Sequence, residues 1–583
     1  MKLRTRGISG TRNQAESERE RAHRVIARKA AAEGIVLLEN NGVLPLKQGS
    51  KVALYGGGAR HTIKGGTGSG SVNNRSNVSI DEGLRNAGFT VTTDTWLDAY
   101  DAAYGQSYKE WKDYIYEISE PGNFDSLYRA HASHPMQMPK GSAITKTEAA
   151  DAIYVISRIS GEGADRKAEP GDYYLSEQEE EELKAITECY DNTIVILNVG
   201  GVMDVSFLEK YNIAALVMLS QAGMEGGNAL ADVLSGAVTP SGKLTDTWGC
   251  HYEDYPSSAT FSHNNGNIIE EKYYEGIYVG YRYFDSFEVE PRYPFGYGMS
   301  YTTFDVATEN AAWKPDAESK TITVTVKVTN TGSCAGKEVV QIYAACPFGK
   351  LKKERKRLVA FGKTALLQPG ESETLHLKVP TVLLESYRTG KAVYCMEAGD
   401  YDFLVGTSSR DVTLAARLTL DKTVETEHLT NICPLLDALK EIQPEEEKEE
   451  RWRAEREQMW EEKKAEIPLL FLDEKGLIRD GKSAEEMYKI LKFRETNAAE
   501  AKECDANGCE FEAETTEAKE DAGNCRCGAE QPKWEERRRL AMEKAAELVQ
   551  KLTPEEKNQI SHRARALAGF QTEWEKRHNG TDQ

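Results

Sequence analysis

Short apolar runs and amphipathic stretches alternate along the first 250 residues of the chain. Runs at 34–38, 52–55, 89–93, 152–157 (AIYVIS), 193–198 and 214–219 are rich in β-branched and aliphatic residues and predict strands. Those that are almost continuously apolar predict burial on both faces. Between them a charged pattern over 16–32, the stretch 79–87 and the glutamate-rich stretch after Ser176 predict helices, with shorter helices near 205–210 and up to Leu234. Ser79 stands three positions before Glu82, the spacing of a capping box, and Gly88 supplies a stop. Strands and helices of these lengths in alternation predict an open, mostly parallel α/β sandwich. The aromatic-rich stretch 94–145 reads as an irregular peripheral insertion whose tyrosines serve packing.

Beyond residue 316 the period changes to two. Residues 321–330 (TITVTVKVTN) alternate strictly, and further runs at 338–344, 371–379, 399–405 and 412–420 predict a small antiparallel sandwich. Past about residue 425 glutamate, lysine and arginine dominate, which predicts solvated helix or disorder, as over 444–464. The expected organisation is a charged leader 1–23, an α/β sandwich 24–250, an aromatic connector 251–315, an all-β sandwich 316–421, a charged helical tail 422–540 and a last segment 541–583.

Candidate chemistry gathers at the end of the 152–157 strand, where Gly161-Glu162-Gly163-Ala164-Asp165-Arg166 follows directly. In open α/β sheets ligands bind outside the carboxyl ends of the strands. Two glycines remove bulk around Glu162 and let its carboxylate approach a ligand closely. Asp165 and Arg166 share the loop and are candidates to tune or orient it. Two other glycine-rich segments argue against a nucleotide: His61 breaks the dinucleotide fingerprint after Gly56-Gly57-Gly58, and Gly66-Thr67-Gly68-Ser69-Gly70 lacks the Lys-Ser/Thr of a phosphate loop. Glu225, a rival carboxylate, stands before a helix and reads as a charge favoured by the helix dipole.

ISRISGEGADR with GDYYLSEQE, NVGGVMDV, QAGMEGGNALADVLSGAVTPSGKLTDTW and the connector's YEGIYVGYRYF and YPFGYGMSY closely resemble family 3 glycoside hydrolases, the β-glucosidase and β-xylosidase family. The segments NTG, QPGE and AGDY at 330–332, 368–371 and 398–401 resemble the fibronectin type III-like domain attached to those enzymes. The resemblance covers roughly residues 24–421. It implies that Glu162 is the general acid/base of a retaining β-glycosidase acting on a β-linked glycoside or oligosaccharide without a cofactor. It also implies that Ser69, in the GGTGSGSV loop, contacts the sugar; Asp165 and Arg166, by their place in the Glu162 loop, are further candidates to line the substrate site. Residues 542–560 (MEKAAELVQKLTPEEKNQI) resemble the first helix of the family's catalytic barrel, in the order of its circularly permuted members. A complete barrel needs about 200 residues or more. The expectation is half an active site, inactive alone, in a chain that is truncated, split or completed by a separate barrel polypeptide. The alternative is a non-catalytic relative that binds carbohydrate or protein.

Charge and cysteines narrow the partners. A formal charge of −21 over 583 residues disfavours nucleic acid. No apolar leader or membrane-length run is present, and Cys189, Cys250, Cys334, Cys346, Cys395 and Cys433 show no framework spacing, which predicts a cytoplasmic protein with reduced thiols. Cys504, Cys509, Cys525 and Cys527 fit no common zinc spacing, so no metal is expected.

Overall fold

The alternation of apolar runs with capped helices produces the expected sheet. A computed structural model of the chain describes residues 15–67, 70, 72–134, 136–159, 165–315, 320–432, 439–472, 478–482 and 484–492. In chain order the first part contains α1 (Glu18–Gly34), β1 (Val36–Asn40), β2 (Lys51–Tyr55), α2 (Ile80–Asn86), β3 (Thr90–Val91), α3 (Asp94–Ile118), α4 (Phe124–Ser133), β4 (Asp151–Arg158), α5 (Glu177–Cys189), β5 (Asn192–Val199), α6 (Phe207–Lys210), β6 (Ala215–Met218) and α7 (Gly226–Leu234). Its six strands lie in the order β1-β6-β5-β4-β2-β3, with only the edge strand β1 antiparallel to its neighbour. The central strands are buried on both faces, as their unbroken hydrophobicity requires.

Local chemistry sets the helix starts. Ser79 and Glu82 form the anticipated capping box on α2, Ser176 and Glu179 form another on α5, and Ser17 with Glu20 a third on α1. The last of these corrects the expected leader 1–23: residues from Glu18 belong to α1, which is held to the α/β core by Arg24 on Glu225 and Arg28 on Asp232. The stretch 94–145 is also corrected. It contains the 25-residue helix α3, because Trp96, Tyr100, Tyr104 and Tyr108 recur every four positions and form one face.

The connector adds β7 (Trp248–Gly249), α8 (Tyr281–Phe287) and β8 (Pro291–Tyr293). Its aromatic residues join the two folded layers, as expected of large side chains with a polar handle. Tyr297 and Tyr301 donate to the carbonyls of Leu38 and Val233 in the α/β part, while the Tyr281 hydroxyl accepts from the Leu358 amide in the β part. Gly296 is fixed as glycine there, since its φ is +81° and a Cβ would stand 2.1 Å from the Gln341 side chain.

The second sandwich contains β9 (Phe304–Pro315), β10 (Lys320–Asn330), β11 (Val339–Ala345), β12 (Arg357–Lys363) and β13 (Ser372–Pro380), then β14 (Ser386–Arg388), β15 (Val393–Met396), β16 (Gly399–Gly406), β17 (Val412–Leu420) and β18 (Val424–His428). One sheet is β13-β10-β9. The other begins β12-β11-β16-β17 and is extended by chain from the charged tail, with α9 (Glu446–Lys463), β19 (Leu469–Leu472) and β20 (Ile478–Asp480). Because β9 starts at Phe304, the β sandwich begins before the expected boundary at 316. β14, β15 and β18 form a separate three-stranded sheet, most of it in a second, smaller unit whose described residues are 387–395, 425–432 and 439.

The expectation of loose or solvated helix fails at α9. Trp452 and Trp460 are buried, and Trp460 joins Tyr343, Leu404, Leu414 and Phe471 on one face of the sheet. Specific pairs replace an apolar stripe: Arg456 donates to Asp402, and the Arg417 guanidinium lies 4.7 Å over the Trp460 ring. Residues 493–583, including the barrel-like segment and the four clustered cysteines, lie outside the described residues, as does Cys433.

Candidate active site

The carboxyl ends of β2, β4, β5 and β6 share one edge of the sheet, and the segments leaving them are tied together by buried polar side chains. β2 runs into Gly56, whose φ of +93° and lack of a Cβ let the turn lie against β4; a Cβ would stand 2.3 Å from the Val155 carbonyl oxygen. The glycines here therefore serve strand packing, in keeping with the failed dinucleotide pattern.

Asn198, fully buried near the end of β5, uses all four hydrogen-bonding capacities of its carboxamide. Oδ1 accepts from the Ile63 amide at 2.7 Å and from the Ser157 hydroxyl at 3.2 Å; Nδ2 donates to the carbonyls of Ile63 at 2.9 Å and Ser220 at 2.7 Å. One side chain thereby joins the segment after β2, the end of β4 and the segment after β6. The Lys64 carbonyl accepts from the Gly223 amide, and the Met224 carbonyl from the Val78 amide, which fixes both roots of the 64–78 loop. Ser69 belongs to this loop and lies outside the described residues.

The β4 loop is anchored on both flanks of Gly161-Glu162-Gly163. Before it, buried Arg158 forms a two-pronged pair with Glu179, both contacts 2.7 Å, and its Nε donates to the Asp172 carbonyl at 2.8 Å. After it, Arg166 donates to the same carbonyl at 2.8 Å, to the Asp172 carboxylate and to the Val202 carbonyl at 3.1 Å. Asp165 is exposed between these anchors. Glu162 itself lies outside the described residues.

Among the expected site residues, Asp165 and Arg166 therefore sit on the loop leaving β4, and Arg166 spends its guanidinium on Asp172 within that loop and on the Val202 carbonyl after β5. Sequence reasoning missed Arg158 and Asn198. The available signals were an arginine closing an otherwise apolar strand and an asparagine inside the run TIVILNV. Glu225 is buried at the start of α7 and paired with Arg24 and Asn228. Glu182, on α5, is a buried carboxyl that burial pushes above its ordinary range, against hydrogen bonds from Gln178, Tyr154 and the Gly141 amide. No group of three or more possible metal ligands occurs among the described residues.

Residues 35–301 match the glycosyl hydrolase family 3 C-terminal domain, and residues 338–409 match a fibronectin type III-like domain. The chain is 36% identical over 452 residues to β-glucosidase A of Butyrivibrio fibrisolvens, covering 70% of this chain and 52% of that protein. It is 37% identical over 413 residues to a β-glucosidase of Ruminococcus albus, covering 69% and 41%. Among solved structures, a β-glucosidase from Paenibacillus barengoltzii matches with a TM-score of 0.60 and 36% identity, covering 72% of this chain and 46% of that one. β-Glucosidase 3B from Thermotoga neapolitana, in complex with α-D-glucose, matches with a TM-score of 0.55 and 38% identity, covering 68% and 54%. The chain thus spans about half the length of the curated relatives it matches.

Proposed function

The chain belongs to glycosyl hydrolase family 3 through its C-terminal and fibronectin type III-like domains, and from that premise we propose that it supplies the acid/base half of a retaining β-glucosidase. The observation that carries the reading is the double anchoring of the β4 loop by Arg158 and Arg166, on the sheet edge where the Ser69 loop is also rooted.

A retaining glycosidase sets two carboxyl groups about 5 Å apart on opposite sides of the scissile bond. Glu162 protonates the glycosidic oxygen as it leaves, and a carboxylate from a separate barrel polypeptide attacks the anomeric carbon. Glu162, now ionised, then takes a proton from the water that releases the sugar. Ser69 contacts a sugar hydroxyl. Asp165, an exposed charge three positions from Glu162, tunes the acid and faces the substrate. Arg166 acts through the loop it holds. The β-glucoside substrate follows the relatives' names, and the free thiols of Cys189, Cys250, Cys334 and Cys346 support a cytoplasmic setting. No helix among the described residues is long and apolar enough to cross a membrane.

The test combines this chain with a matching barrel polypeptide and compares the wild type with Glu162→Gln. General acid assistance is typically worth about 10²–10⁴-fold, so glycosyl transfer from alkyl glucosides collapses. Transfer from dinitrophenyl glucoside, whose leaving group departs without a proton, is nearly spared and the glycosyl intermediate accumulates. Equal losses for both leaving groups would assign the acid role elsewhere, and rapid turnover by the chain alone would refute the divided site.

A further inference from the structure

The α3–α4 hairpin grows from the same edge of the sheet as the loops of the candidate site. Thr93, at its base, exchanges hydrogen bonds with the Leu54 backbone. Along α3, Trp96 meets Tyr55 at a ring separation of 5.3 Å, a Cβ on Gly57 would touch the Tyr100 hydroxyl, and Tyr104 stacks on His61 at 3.8 Å. Successive turns of the helix thus face positions successively further past the carboxyl end of β2. At 1.5 Å per residue, the segment from Tyr104 to Ile118 rises about 21 Å beyond that point. The chain returns to the base at Met138 and Gly141, beside Gly57 and Trp96.

The aromatic residues of this hairpin divide by height. Trp96 and Tyr100 are buried, whereas Tyr108, Tyr114, Tyr116, Phe124 and Tyr128 are between 43% and 75% exposed. An open cleft of about 570 Å³ lies in the outer part, lined among others by Tyr114, Glu120, Asp125, Arg129 and His134. That volume is within the usual range for a small-molecule site. Tyr114 and His134 meet edge to face at 5.6 Å. Neither Asp125 nor Arg129 makes a side-chain hydrogen bond or ion pair with another described residue.

We infer that this cleft binds the distal residues of a neutral β-linked gluco-oligosaccharide. A pyranose ring presents an apolar C–H face, which an aromatic ring covers, and a rim of hydroxyls that both donate and accept. The Arg129 guanidinium supplies donors and the Asp125 carboxylate acceptors. Two carboxylates, Glu120 and Asp125, against one guanidinium disfavour an anionic ligand. The assignment of β-linked glucose rests on the function proposed above.

The test is calorimetric titration of the full chain with cellotetraose, with maltotetraose as the α-linked comparison. Cellotetraose binds, and Tyr114→Ala and Arg129→Ala each weaken it about tenfold, the loss expected for one stacked ring and for one good charge-assisted contact respectively. Both positions are exposed on the hairpin's outer part, and circular dichroism checks that the fold survives. Affinity unchanged in both variants, no binding of cellotetraose, equal binding of maltotetraose, or a loss in these variants only of affinity for a barrel polypeptide would each overturn the inference. Glu162→Gln leaves the cleft intact, so persistence of cleft binding in a chain whose Glu162 proves irrelevant to turnover would refute the proposed function alone.

Discussion

Truncating Asn198 to alanine removes the one side chain that joins three segments of the candidate site. The change leaves the Ile63 amide and carbonyl, the Ser220 carbonyl and the Ser157 hydroxyl without their partner. A buried polar group left unsatisfied costs roughly 1–3 kcal/mol, and water entering the vacated space recovers part of it, so the expected loss is about 3–5 kcal/mol. That is a large share of the roughly 5–15 kcal/mol that holds a typical domain together. Asn198→Asp keeps the shape and both accepting contacts but sets oxygen against oxygen at the carbonyls of Ile63 and Ser220. It also places a carboxyl group at a site with no exposure. Burial favours the protonated form, so the folded pKa of this introduced group lies above its unfolded value. The penalty is then fully present above the folded pKa and is relieved as pH falls through it. Urea unfolding followed by fluorescence at about pH 7 and about pH 5 measures both effects. A loss below about 1 kcal/mol for the alanine variant, together with no pH dependence specific to the aspartate variant, would refute the reading of Asn198 as the tie between the loops.

Three further outcomes are expected. Because burial raises the Glu182 pKa above its ordinary value of 4.5, the folded state holds this proton more tightly than the unfolded state. Stability therefore falls as pH rises from about 4.5 through the folded pKa, and Glu182→Gln flattens that part of the urea-midpoint profile; identical profiles would refute the assignment. Gly227→Ala places a Cβ 1.9 Å from the Ser79 carbonyl oxygen at the crossing of α2 and α7 and costs about 3 kcal/mol or more. Gly105→Ala, on α3 with nothing within 4 Å, stabilises by about 0.5–1 kcal/mol in the same unfolding assay.

The parallel sheet was legible because its strands are buried on both faces, which forces nearly unbroken apolar runs such as AIYVIS and TIVILN. The capping box of α2 and the start of α5 at Ser176 were legible because they are local chemistry. What escaped the sequence depends on partners far along the chain. The four-residue recurrence of aromatics in α3 was present, yet the exposure of its outer half follows from the hairpin's projection past β2. α9 has almost no apolar stripe, and its docking depends on Asp402, Arg417 and the sheet face they occupy. Asn198 and Arg158 look like polar interruptions of apolar strands until the segments that they hold come together. For Glu162 and Ser69 the motif supplies the candidate role, while the described structure supplies only the anchoring of the segments that carry them.

The place of β19 also bears on the order in which the protein can be built. β19 pairs in parallel with β17, from Arg417 with Leu469 to Leu420 with Leu472, so this edge of the sandwich is completed by residues made long after the rest of its sheet. While synthesis runs from Leu420 to Leu469, the nascent β17 presents an unpaired row of amides and carbonyls, the kind of edge that recruits strands from other chains. Closing it requires the intervening segment to loop back, so the pairing comes late and brings Trp460 onto the same sheet face. A polypeptide ending near residue 421 would keep the strands of the matched fibronectin type III-like domain and expose this edge permanently. Its solubility during production, more than its equilibrium stability, would register the loss.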